Sequence, residues 1–194
     1  MSEKQAWAPG SPAGFMCMAF YLAVLCPMLI GISGPQYGIL LVPFGFIGMA
    51  VQLIVGTVEL KRGDVVSGNI TLAFSAFMAF GAILTLLKFM DIAPQDTAFG
   101  EGFVFLVMGI IMLLTFVTSL RTVFSLIAFN VVTILFFLFM AFGNLFGIPS
   151  LLVTAGYCLI FSIITLLWTS CGITVNTAMG KNALPMGPPL IKPE

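Results

Sequence analysis

The residues able to do chemistry in this sequence are few, and they sit where polar groups are costly. Gln52 and Glu59 lie seven apart in an otherwise apolar run, so on a helix they share one face two turns apart. Thr71 and Ser75 follow in the next apolar run, and Asn130 and Thr133 in a later one. Amides and hydroxyls within a membrane either bond neighbouring helices together or serve a polar solute. For a single Ser or Thr the first role is the commoner; for Gln52 and Asn130 both stay open. Glu59 stands beside Lys61 and Arg62, as a locally paired charge or as a carboxylate taking part in transfer.

Other chemistries lack their residues. There is no His, so neither an imidazole proton relay nor a His-based metal site can be built. Cys17, Cys26, Cys158 and Cys171 have no Cys-x-x-Cys spacing and fall in apolar runs, which reads as buried free thiols. No Walker-type loop, Gly-x-Ser-x-Gly or His-Glu-x-x-His occurs. The expectation is therefore no enzyme, no cofactor and no metal, and the absence of a basic patch argues against a nucleic-acid partner.

The elements that hold these groups follow from composition. Of 194 residues, 60% are hydrophobic and 7% charged, against roughly 25% charged in soluble domains. That excludes an ordinary soluble globule. A membrane span takes ~20 residues, so five or six fit. No charge lies between Phe15 and Val58 or between Thr122 and Gly180, and each stretch holds two spans divided by a Gly- and Pro-containing break. Two single spans between them make six. The runs are too long and continuous for alternating barrel strands, and helices satisfy their own backbone in lipid. The predicted spans are 14–32, 38–59, 69–88, 102–119, 123–143 and 151–173.

The predicted class is thus an all-α membrane protein, a six-helix transmembrane domain over 14–176. A short segment, 1–13, precedes it, and a Pro-rich tail, 177–194, follows in extended or disordered form. With six spans, Lys4, Lys61, Arg62, Arg121, Lys181 and Lys192 share one side and Lys88 stands alone on the other. The positive-inside rule makes the first side cytoplasmic, with both termini there, in a multi-pass protein of the cell (inner) membrane. Residues 1–12 lack the pattern of a cleavable signal. Ala73, Ala76, Ala79 and Ala82, spaced by three, read as a packing seam.

The stretch Gln52-Leu-Ile-Val-Gly-Thr-Val-Glu59-Leu-Lys61-Arg62-Gly63-Asp64 resembles the acetate uptake transporter family, the succinate–acetate permeases. Members read there Gln-x-x-x-Gly-x-x-Glu-x-Arg/Lys-Arg/Lys-Gly-Asn, so Asp64 is a departure. Ser119-Leu-Arg-Thr122, Thr133-Ile-Leu-Phe-Phe137 and Gly143-Asn144 extend the likeness over most of the chain. The N-terminal signature Asn-Pro-Ala-Pro-Leu-Gly-Leu survives only as Pro9-Gly-Ser-Pro12-Ala-Gly14-Phe15. The resemblance implies a channel or transporter for acetate and related small carboxylates, with succinate and proton symport among the options. It also implies a homo-oligomer, a hexamer of protomers with one pore each. An apolar constriction is implied at Met18, Phe74 and, on span five, Val132 or Thr133, with Val132 carried forward.

A bare carboxylate in a low-dielectric medium is costly, and no Lys or Arg lies in the interior of the predicted spans to offset it, Lys88 standing at the very end of one. The donors left are Gln52, Asn130, Thr71, Ser75, Thr133 and the helix N-terminus around Pro12 and Gly14. These are the candidate substrate-binding residues, weak sites on either side of the constriction, which suits conduction. Glu59 is the coupling candidate. Two rivals remain: a channel for another small solute, such as formate or an amide, and a membrane scaffold subunit that transports nothing.

Overall fold

The computed structural model describes residues 7–191. Six helices follow one another: α1 (Ser11–Leu29), α2 (Leu41–Lys61), α3 (Val65–Phe89), α4 (Ala98–Ser119), α5 (Phe124–Phe146) and α6 (Pro149–Met179). Six segments are long and apolar enough to cross a membrane, and no strand occurs among the described residues. The all-α six-helix fold is as expected; several boundaries are not. Pro12 sits in the first turn of α1, where its missing N–H is no loss, so the helix starts at Ser11. The break after α1 contains a short 3-10 helix, Pro35–Leu40, that runs straight into α2. The longest extension is α6, which passes the predicted end to Met179 because a helix need not stop where the apolar slab does. Gly180, at φ 61°, terminates it.

Helix α1 packs against α2 and α6, α2 along α3, and α5 against α4 and α6. Although consecutive, α3 and α4 touch little, and an apolar groove lined by Ala73, Ala76, Phe77 and Val107 opens between them. The alanine seam does not form as expected. Steps of three turn a helix by about 300°, so the stripe winds around α3. Ala82 packs against Gly45 of α2, whereas Ala73 and Ala76 face the groove. Glycines make the closest contact instead: a Cβ on Gly56 would stand 3.0 Å from the Gly68 carbonyl oxygen.

The centre of the bundle is aromatic. Phe74 and Phe77 of α3, Phe105 of α4, and Phe136 and Phe137 of α5 pair with ring centroids 5.1–6.2 Å apart. Tilted and edge-on pairs of this kind lock the relative positions of three helices.

Helix α1 has no capping side chain of its own, and orphan N–H groups are costly next to lipid. Glu59 of α2 supplies the acceptor. Its Oε1 accepts from the Gly10 N–H at 2.9 Å, the Ser11 N–H at 3.0 Å and the Ser11 hydroxyl at 2.7 Å. Oε2 pairs with Arg62 at 3.1 Å, and the residue is 2% exposed. Two turns away on the same face, the Gln52 amide donates to the Gly14 carbonyl at 3.2 Å. From the other side Ser170 of α6 donates to the Pro12 carbonyl at 2.8 Å. The seven-residue spacing thus places Gln52 and Glu59 on one face, and that face meets α1. Asp64 caps α3 by accepting from the Ser67 N–H at 2.9 Å, a role Asn fills equally well.

Of the tail, 177–179 belong to α6, and the described remainder, 180–191, has neither helix nor strand and is docked on the bundle. Helix α5 begins without a side-chain cap, and the carbonyls of Met186 and Gly187 accept from the N–H groups of Ser125 (3.0 Å) and Phe124 (3.4 Å). Asn176 fixes the Leu184 N–H at 2.8 Å.

Glu59→Ala leaves the α1 N–H groups and Arg62 without their partner. It should destabilise the protein by about 2–4 kcal/mol, seen as a lower melting temperature in detergent. Glu59→Gln, which keeps one acceptor oxygen, should lose less. A melting temperature unchanged by Glu59→Ala would contradict the anchoring role.

Candidate functional site

Two spaces lie along the bundle, one above the other. At the Glu59 end a chamber of about 350 Å³ opens between α1, α3, α4 and α5, with single residues of α2 and α6 at its edge, and Gln52, Thr71, Ser119 and Asn130 are in its lining. Deeper lies a small cavity of about 20 Å³ bounded by α1, α3, α5 and α6, with Tyr21, Phe137, Thr133 and Ser162 in its walls. Met18, Phe74 and Phe129 line both spaces, so these three side chains form the wall between them. All three are buried. At the far end, Thr85 and Lys88 border an outer depression of about 560 Å³. Lys88 is committed there to Glu101, which also accepts from the Thr97 hydroxyl; the ion pair spans 2.7 Å and ties α3 to α4.

The candidate residues divide. Met18 and Phe74 stand in the wall, and Thr71, Gln52 and Asn130 line the chamber. Gln52 and Asn130 already hold protein partners: the Asn130 amide donates to the Ser119 hydroxyl at 2.7 Å. Thr133 lines the inner cavity. Val132 lines neither space and is corrected accordingly. On α5 the inward face runs Phe129, Thr133, Phe136/Phe137, at steps of three and four, and Val132 falls off that phase. Ser75 is also misplaced, since its hydroxyl donates to the Met49 carbonyl at 2.8 Å and joins α3 to α2.

The N-terminus of α1 needs a further correction as an anion site. Pro12 has no N–H, the Gly10 and Ser11 N–H groups are held by Glu59, and those of Ala13 and Gly14 bond the Gly10 carbonyl. Gly14 serves another purpose: a Cβ there would come within 2.9 Å of the Gln52 amide oxygen. Glu59 lines neither the chamber nor the inner cavity. Phe129 and Ser162 were not singled out as site residues from sequence. The helical phase shared by Phe129 and Thr133 is a signal that points to the first; Ser162 is one hydroxyl among several on α6.

A family profile described as GPR1/FUN34/yaaH matches residues 1–186, nearly the whole chain. The chain belongs to that family. It is the acetate uptake transporter family that the Gln52–Asp64 motif resembles. No curated protein matches the sequence. Among solved structures, one described as the structure of the bacterial acetate channel SatP matches with a TM-score of 0.85. The match covers 93% of this chain and 99% of that one at 22% identity, so the likeness is one of fold. In this GPR1/FUN34/yaaH member the chamber, wall and inner cavity all lie inside that shared six-helix frame.

Because a Cβ on Gly14 would meet the amide oxygen of Gln52, whose side chain is buried and held by its bond to the Gly14 carbonyl, Gly14→Ala should destabilise the protein by about 1–3 kcal/mol, read as a lower melting temperature. Adding Gln52→Ser, which shortens the opposing side chain, should recover part of the loss. Equal melting temperatures for wild type and Gly14→Ala would contradict the close contact.

Proposed function

We propose that this protein passes acetate and related small carboxylates across a cell membrane, along the line from the Gln52–Asn130 chamber through the Met18–Phe74–Phe129 wall. The observation that carries the reading is a chamber with amides and hydroxyls in an otherwise apolar lining, ending on an apolar wall at the centre of a membrane-spanning bundle. Family membership and the fold shared with an acetate channel support the substrate class. Amides and hydroxyls in the chamber offer weak hydrogen bonds, and weak sites release what they bind. Among the described residues Lys61, Arg62, Arg121 and Lys181 lie at the Glu59 end and Lys88 at the other, which supports placing that end and both termini in the cytoplasm of the inner membrane. The exposed groove between α3 and α4 is a surface on which copies could meet, and the family resemblance supports a hexamer.

The wall sets the mode of passage. Met18, Phe74 and Phe129 carry no charge, and an unpaired carboxylate crossing such a zone faces a barrier of several kcal/mol even after relaxation. Crossing with a proton removes most of that barrier. Glu59 does not serve as the carrier in this reading, because releasing its carboxylate releases α1. The proton travels with the acid.

Labelled acetate uptake into proteoliposomes tests this against protein-free vesicles, which report passive diffusion of the acid. Uptake above that background should rise when the outside is made more acidic. Uptake indifferent to the gradient would remove proton linkage, and uptake equal to protein-free vesicles would remove transport. Phe74→Ala, which opens the wall, should raise acetate uptake several-fold; an unchanged rate would take Phe74 out of the path.

A further inference from the structure

Hydroxyls buried in this bundle almost all find partners. Ser75 donates to the Met49 carbonyl, Ser170 to the Pro12 carbonyl, the hydroxyls of Ser125 and Thr169 bond each other, and Ser119 accepts from Asn130. Threonines on the helices have a further outlet, the carbonyl four residues back, and Thr57, Thr115, Thr154, Thr165, Thr169 and Thr174 all use it. Thr133 does not. Its hydroxyl and that of Ser162 are the buried side-chain oxygens without a hydrogen-bond partner among the described residues. The residues are 5% and 1% exposed, stand on different helices, and line the same inner cavity. Every other side chain named in that wall, Met18, Phe74, Phe137 and Leu159 among them, is apolar or aromatic.

An unpartnered buried hydroxyl is destabilising, and two such hydroxyls on residues that line one cavity, whose surface is otherwise apolar, point to a polar visitor that draws them in. We infer that Thr133 and Ser162 form a hydrogen-bonding station inside the constriction for the carboxyl group of the passing acid, an inference that rests on the transport reading above. The chemistry matches. A protonated carboxyl has one donor and one acceptor, and each hydroxyl can give and take a hydrogen bond, so the two can serve both of its oxygens. The pair serves the ionised group as two donors. Its cavity of about 20 Å³ accommodates about one water molecule, so a carboxyl enters only as a wall side chain yields. Met18, unbranched and flexible, is the wall member suited to move. The station divides one long apolar crossing into two short ones.

The test uses full-length protein in proteoliposomes, comparing wild type with Thr133→Val, Ser162→Ala and the double variant. Val matches Thr in shape, and neither hydroxyl holds a protein partner, so melting temperatures should stay level or rise. Acetate flux above protein-free vesicles should fall about tenfold in the double variant, the change that ~1.4 kcal/mol in a barrier produces. Thr133→Ser, which keeps a hydroxyl, should retain most of the flux. Robust wild-type flux with an unaltered double variant overturns the station and leaves the transport reading standing. Absence of wild-type flux overturns both.

Discussion

A carboxylate buried against the start of a helix governs the geometry of this protein. The first turn of a helix presents unpaired N–H groups and a partial positive charge, and beside lipid there is no water to satisfy them. Glu59 does so from the neighbouring helix, with three hydrogen bonds from Gly10 and Ser11 and an ion pair to Arg62. Because Gln52 sits two turns along the same face and holds the Gly14 carbonyl, α1 is fixed in register on α2. Met18 lies one turn beyond Gly14, so the same pair of contacts determines where its side chain enters the path.

That anchoring has a functional consequence. A free helix N-terminus would be the strongest anion site in a chain with so little charge in its spans. Here it is satisfied internally, and the chamber is left with amides, hydroxyls and the Asp64 carboxylate that caps α3. A path built this way does not hold an anion tightly. In the proposed path the barrier is the apolar wall of Met18, Phe74 and Phe129, with Phe74 braced by the aromatic cluster on α3, α4 and α5. On the transport reading proposed above, selectivity comes from size and protonation more than from binding strength.

The six helices were legible because lipid leaves a chain of this composition little choice: long uncharged runs must become helices, and Gly–Pro breaks must become turns. What the runs do not encode is where helices end once they leave the apolar layer, and α6 continues to Met179 for that reason. The docked tail was illegible because its partners, the bare N–H groups of Phe124 and Ser125, belong to a different element. The shared face of Gln52 and Glu59 followed from helical spacing, but its target, the start of α1, is a tertiary fact. Rotational phase accounts for the misses at the site. Thr133 and Val132 are adjacent in sequence yet only Thr133 lines the cavity, and Ser75 faces α2 although Thr71, one turn earlier, lines the chamber.

The central claim is that the Met18–Phe74–Phe129 wall separates two spaces of one acid-conducting path. Replacing the four native cysteines, placing a single one at Thr71 or at Thr85, and labelling oriented proteoliposomes with a membrane-impermeant thiol reagent tests it directly. The account predicts that the cysteine at 71 reacts only from the Glu59 side, that the one at 85 reacts only from the Lys88 side, and that acetate slows the first reaction. Modification of either cysteine from both sides, or a cysteine at 71 that acetate leaves equally reactive, would contradict it.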